Sequence, residues 1–340
     1  MIAGKLVRLV FPERWNSVFR KEFFELNGIT KEEALALLEE TSLSSLLALM
    51  DRASRAREAF AGGKIKTCSI INARCGNCSE NCAFCAQSAR SSAPIKTWPM
   101  LSADEIVKAA EIAERHGAVR YGIVTAGRAV HKGTEMEILC EAISRISKRM
   151  KIKPCASLGI LGEEELKVLK EAGLDRYHHN LEAARSYFNV VCTTRSYQHQ
   201  LDTVKAARNV GLTVCSGGIF GLGESLEQRV ELLDTVRSLE VDSVPLNFLS
   251  PIPGTLLEKA ENLTPQACLR IIAVARLMMP EVSIRICGGR EFNLRDFQSW
   301  IFAAGADAFM TGGYLVTPGR SPREDAVMVA DAGLELVLPD

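Results

Sequence analysis

The chain of 340 residues has no excess of charge of either sign, 41 Lys and Arg standing against 41 Asp and Glu. Without a global field nothing draws it toward nucleic acid or an anionic membrane. Nor has it an apolar run approaching the roughly 20 residues needed to cross a bilayer. The opening "MIAGKLVRLVFPERW" is not expected to be a secretory signal, because Lys5 and Arg8 interrupt the apolar stretch and Pro12 ends it. A cytoplasmic location is the expectation. No Pro/Gly linker, low-complexity tract or repeat divides the chain, which is long enough to bury one large core or two smaller ones.

What it does have in number is cysteine, eleven in all. Thiols stay reduced in the cytosol, so disulfides are excluded and the cysteines point to metal or catalysis. Four of them fall between Cys75 and Cys85 in "CGNCSENCAFCAQ". Structural zinc sites usually pair two C-x2-C knuckles, or one knuckle with two histidines. Here the candidate histidines, His178 and His179, lie in a distant segment, where strand alternation sends them to opposite faces as packing residues. Cys78, Cys82 and Cys85 form C-x3-C-x2-C, three soft ligands in one loop. Iron–sulfur clusters normally take four thiolates, so three leave one iron open to a small molecule. A zinc knuckle using Cys75 as fourth ligand stays open on spacing alone.

Residues 1–60 read as a helical extension, with a Thr30 cap answered by Glu33 and a stop at Gly62–Gly63. Short β-rich segments then alternate with amphipathic helices. Strands are expected over 66–74, 118–125, 151–158, 174–181, 211–219, 243–249, 282–287 and 307–312. This alternation predicts an α/β fold, a (β/α)8 TIM-type barrel over 61–320 with a tail over 321–340 packed on it. An open doubly wound sheet is the alternative. In a barrel the active site lies at the C-terminal ends of the strands. There the sequence places the cysteine loop, Thr125, Cys155, Asn180, Glu182, Cys215, Asn247, Arg285 and Cys287. Cys140, Cys192 and Cys268 have no partner motif and read as small buried hydrophobes.

The cysteine triplet, with Phe84 before its last member, resembles the signature of radical S-adenosylmethionine (SAM) enzymes. Longer stretches, "CSENCAFCAQSAR", "AGLDRYHHNLEAA", "CTTRSYQHQLDT", "VCSGGIFGLGES", "SVPLNFLSPIPGT", "IAVARLMMP" and "IRICGGRE", resemble the biotin synthase family within them, over residues 60–320. The resemblance implies a [4Fe–4S] cluster on Cys78, Cys82 and Cys85, with SAM on its open iron. It implies a radical that takes hydrogen from dethiobiotin and an auxiliary iron–sulfur cluster that supplies sulfur to form biotin. It further implies SAM contacts from Thr125, Ala126, Asn180, Glu182, Arg195 and Gly221, and dethiobiotin contacts from Asn180 and Asn247. A homodimer and an electron donor such as flavodoxin or ferredoxin come with the family. Ala183 and His178 depart from its commoner Thr and Asn. Sister enzymes of the hydrogenase maturase or methylornithine synthase type are the nearest alternatives, and a zinc-stabilised binding module is the alternative from another class.

The auxiliary site departs further. The commoner enzymes hold a [2Fe–2S] cluster on three barrel cysteines and an arginine. Cys155, Cys215 and Arg285 match, but Gly122 replaces the third cysteine, while Cys68 and Cys287 stand where Ser is usual. Alternation puts Cys287 on the face of Arg285 and Cys68 on the face of Arg74. Four barrel thiolates are therefore expected to converge, with Cys75 in reserve. This resembles a branch of the family from anaerobes, in which the auxiliary cluster is larger and carries an extra sulfide, and an anaerobic source follows as a corollary.

Overall fold

β-branched residues concentrate in short segments from residue 64 onward, and helices follow most of them. In the computed structural model, which describes residues 28–130 and 132–340, these segments pair in parallel. They are β1 (Lys64–Arg74), β2 (Arg120–Thr125), β3 (Lys153–Ser157), β4 (Arg176–His178), β5 (Thr213–Cys215), β6 (Gly218–Phe220), β7 (Ser243–Phe248), β8 (Ser283–Ile286), β9 (Ala308–Met310) and β10 (Glu335–Leu336). The order runs β1-β2-β3-β4-β5-β7-β8-β9, and β9 pairs back onto β1. The ring closes into a (β/α)8 barrel, and the open-sheet alternative is excluded.

The fifth stave, expected as one strand over 211–219, is broken into β5 and β6. Both pair with β7, at Cys215↔Ser243 and Gly218↔Leu246. Between those pairs stands Pro245, which has no N–H to give a ladder. A Cβ at Gly217 would sit 2.1 Å from the Pro245 carbonyl oxygen, and one at Gly218 would sit 2.7 Å from that of Glu182. Only glycine permits these approaches, which explains the Gly–Gly doublet.

The helices start where the sequence placed their caps. Ser102 and Glu105 close a capping box before Ala103–Arg115, whose Ile106, Val107, Ala110 and Ala113 are buried. Thr30 and Glu33 do the same before Lys31–Glu39. Ser42 caps a second N-terminal helix, Leu43–Ala61, which packs against Pro265–Met278. Covered by the barrel and this helix, Pro265–Met278 buries every residue from Cys268 to Met278, including Arg270, which bonds to Ser42 and Ser45, and Arg276, which pairs with Asp307. The expectation for residues 1–27 lies outside the described residues.

At its end the chain contributes the helix Pro322–Asp331 and β10, which extends β1 at Lys64↔Glu335. Arg290 clamps this segment with two hydrogen bonds to Asp325, at 2.9 and 3.1 Å. Among the described residues no helix is long and apolar enough to cross a membrane.

Candidate active site

The C-terminal ends of the strands surround a cavity of about 360 Å³. Four thiols, Cys68, Cys155, Cys215 and Cys287, line it with Arg285, although they come from β1, β3, β5 and the end of β8. Strand register accounts for part of this convergence: Cys155 pairs with Gly122 and Arg176 on its two sides, and Cys215 with His178. All four expected thiols line this one cavity, but one expected neighbour does not. Cys68 does not share its face with Arg74, because the β1–β2 register shifts between Asn72 and Arg74. Arg74 turns away, donating from Nε to the Ala126 carbonyl at 2.9 Å and pairing with Glu135. Cys75 is elsewhere too: its Sγ donates to the Lys96 carbonyl at 3.2 Å, and its backbone pairs with Trp98.

Arg285 is buried among these thiols, and its Nη1 has no partner. An unpaired buried guanidinium demands negative charge. Burial works against the Arg285 cation, but Cys68, Cys215 and Cys287 outweigh it and hold the group above its ordinary range. Burial alone would raise Cys215; a hydrogen bond with His178 and the nearby guanidiniums bring it down to about 6. Arg120 Nη1 donates to Cys155 Sγ at 3.6 Å. The donor set, soft thiols around cations, suits an anionic iron–sulfur cluster.

Between Cys68 and Cys155 in the chain lies the loop of the cysteine triplet. Its shape is set by backbone bonds: Cys78 N–H donates to Gln87 O at 3.0 Å, Ala89 N–H to Cys78 O at 2.8 Å and Cys85 N–H to Cys82 O at 3.0 Å. The Asn81 side chain fastens the loop to the segment before Arg195, accepting from Thr193 N–H at 3.0 Å and Thr194 N–H at 3.2 Å. Cys85 also lines the cavity, and burial pushes its thiol up to about 11, with Cys78 adding to the rise. Cys192 Sγ donates to Asn81 Oδ1 inside the loop at 3.4 Å, and the proximity of Cys82 and Cys192 holds the Cys82 thiol up and brings Cys192 down. Cys192 is thus a neighbour of the triplet, not an isolated packing thiol; its place directly before "TTR" was the available signal. Among the described residues no three His, Cys, Asp or Glu side chains converge tightly on one point, as a single metal ion would need. With Cys75 turned away, a zinc knuckle lacks its fourth ligand.

Asn180, Glu182 and Asn247 line the same cavity. Asn180 Nδ2 reaches the Glu182 carboxylate at 3.4 Å, and its Oδ1 is buried without a partner. Glu182 has φ +67°, a left-handed conformation unusual outside glycine. Burial raises its carboxyl, opposed by Arg195 and His178. The Arg195 guanidinium faces Cys82 and Glu182, and its Nε has no partner. Asn247 is more committed: Nδ2 donates to Gly218 O at 3.1 Å, and Oδ1 accepts from Gly288 N–H at 3.0 Å.

Four expected SAM contacts, Thr125, Ala126, Arg195 and Gly221, are not on the cavity wall. The Thr125 hydroxyl is buried without a partner, and the Ala126 carbonyl is taken by Arg74. The Gly221 N–H is taken by Glu224 at 2.9 Å, so this glycine serves its own turn, at φ +91°. Conversely, Arg120 and Arg176 enter the cavity unannounced, and His178, expected as a packing residue, lines it too. The spacing of Arg176, His178 and Asn180 along one strand was the readable sign.

Residues 74–236 match the Radical SAM superfamily, and residues 245–335 match the Biotin and Thiamin Synthesis associated domain. The chain is 51% identical over 303 residues to a biotin synthase of Pelobacter propionicus, covering 89% of this chain and 92% of that one. It is 50% identical over 311 residues to a biotin synthase of Geotalea uraniireducens, covering 91% and 94%. Solved structures with the same fold include methylornithine synthase, with a TM-score of 0.82 at 18% identity, covering 93% of this chain and 96% of that one. An FeFe-hydrogenase maturase from Carboxydothermus hydrogenoformans has a TM-score of 0.78 at 18% identity, covering 96% and 80%.

Proposed function

The chain belongs to the biotin synthase family of radical SAM enzymes, and on that premise we propose how its residues divide the work. The reaction is the SAM-dependent insertion of sulfur into dethiobiotin. When bound, the [4Fe–4S] cluster and SAM supply the radical, and the auxiliary cluster supplies the sulfur. Cys78, Cys82 and Cys85 hold the first cluster. Arg195, with an unpaired Nε, takes the SAM carboxylate, while Asn180 and Glu182 take its polar groups. The cavity walls would hold dethiobiotin, with its ureido group at Asn180 and Asn247.

The observation that carries the auxiliary assignment is the convergence of Cys68, Cys155, Cys215 and Cys287 on the buried, unpartnered Arg285. We infer four thiolate ligands and a cluster larger than [2Fe–2S], which fits an anaerobic source. Eleven free thiols suit a reducing cytoplasm. A homodimer and a flavodoxin or ferredoxin as electron donor complete the proposal.

The test is anaerobic purification followed by iron counts and a SAM-cleavage assay with and without dethiobiotin. Several irons per chain and cleavage stimulated by dethiobiotin are expected. Serine at Cys78, Cys82 or Cys85 should abolish cleavage, whereas Cys75→Ser should leave most of it. The opposite pattern would overturn the ligand assignment.

A further inference from the structure

Besides Arg285, two more arginines line the cavity of the four thiols: Arg120 and Arg176. Arg176 is set there by register, as the cross-strand partner of Cys155 on one side and Thr213 on the other. It is 9% exposed, and Arg285 is 4% exposed. Arg120 has a carboxylate partner in Asp175. Among the described residues neither Arg176 nor Arg285 forms an ion pair. The Nε of Arg176 donates to the Thr213 hydroxyl at 3.1 Å, a neutral acceptor that leaves its charge uncompensated.

Two uncompensated guanidiniums in one poorly solvated cavity repel each other, and each also loses hydration. Burial and then the charge of Arg120 press the Arg176 cation below its ordinary range, while Cys215 and Cys155 support it. Such a pair persists only where the cavity receives matching negative charge. Arg285 alone would serve one thiolate neighbour; the second cation calls for a more negative guest. Iron–sulfur clusters on thiolates are such guests, and the charge around them sets their reduction potential.

We propose that Arg176 is a positioning residue for the auxiliary cluster, a fixed positive charge beside Cys155 and Cys215 that offsets the negative charge of the cluster and raises its reduction potential. This rests on the reading of the four thiols as auxiliary ligands. A guanidinium cannot lose its proton in the accessible range, so the effect is constant with pH.

The test uses protein with Cys78→Ser, Cys82→Ser and Cys85→Ser, in which only auxiliary iron remains, reconstituted anaerobically. Iron, sulfide and the spectroelectrochemical midpoint potential are compared for this parent, Arg176→Met and Arg176→Lys. The Met variant is expected to keep its iron at a lower midpoint potential, with the Lys variant close to the parent. A parental potential in the Met variant would overturn the proposal. So would equal loss of iron from the Met and Lys variants, since lysine keeps the charge. Cys215→Ser in the same background separates the two readings. If it keeps all its iron, the ligand assignment itself fails; if it loses iron while the Met variant is unchanged, only the role of Arg176 fails.

Discussion

Arg128 Nη1 donates to Glu80 Oε1 at 3.1 Å and, from the same nitrogen, to the Thr194 carbonyl at 2.8 Å. Glu80 lies inside the cysteine triplet, Arg128 follows β2, and Thr194 precedes Arg195. One guanidinium therefore holds three separate loops in register around the expected SAM position. The Thr194 hydroxyl adds a 2.6 Å bond to the other Glu80 oxygen.

Glu80→Gln keeps the shape and removes the charge. The Glu80 side chain is 3% exposed, but that of Arg128 is 41% exposed, so water screens part of the loss. A destabilisation of about 1–3 kcal/mol is expected, in the range for a weakened buried hydrogen-bond network. The more sensitive measurement is iron release from the triplet to a chelator, which should quicken. An unchanged release rate would show that the loops do not depend on this tie.

Asn180→Ala and Asn247→Ala should each weaken dethiobiotin binding by about 1–3 kcal/mol, the loss of one or two hydrogen bonds to a buried polar group. They should differ in side effects. Asn247 also bridges Gly218 and Gly288, so its loss should lower thermal stability as well. Asn180 sits beside Glu182, so its loss should weaken SAM binding more. Calorimetry with each ligand separates these outcomes, and undiminished dethiobiotin affinity in both variants would remove them from the substrate site.

The barrel was legible because strand and helix periods differ and the caps at Thr30 and Ser102 are local signals. The triplet was legible because its spacing is. What was hidden depends on contacts between distant strands. The break after Cys215 arises from Pro245 on a neighbouring strand, and the turn of Arg74 from a register shift that alternation cannot foresee. Arg176 was passed over and His178 was read as a packing residue, because a polar residue in a short strand carries no mark of facing inward. Thr125, Ala126 and Gly221 were carried by family resemblance alone, and here their polar groups are spent locally or kept off the cavity wall.

His179 stacks on Tyr177 and is buried, and burial holds its imidazole down to about 3. The unfolded chain takes up this proton near pH 6.5, the folded protein only near pH 3. Below about pH 6.5 the unfolded state binds more protons, so stability falls as the pH drops through that window toward 3. Each pH unit inside it removes about 1.4 kcal/mol. His179→Gln has no such proton to bind. Urea unfolding at pH 7.5 and 5.5 should therefore show a smaller loss in the variant than in the parent; equal losses would mean that other groups govern the acid limb.

If the four thiols hold the proposed auxiliary cluster, Cys68 and Cys287 decide its kind. Gly122 faces the same cavity between Ile70 and Cys155, and a Cβ there would already stand 3.0 Å from the Ile70 side chain. A thiol is not simply missing at that position, since the neighbouring strand has filled the space. Cys287 is 3% exposed and, after burial, is raised most by the charge of Cys68, which places the two thiols within each other's influence. Two thiols lining one buried cavity raise each other as thiolates unless metal binds them. Serine at either position removes a soft ligand with little change in volume. Cys287→Ser and Cys68→Ser should each lower auxiliary iron and sulfide and reduce biotin formed per chain, while SAM cleavage at the triplet persists. Iron and sulfide analysis beside a biotin assay checks this. Full cluster content and parental yield in both variants would return the two residues to the packing of the barrel core.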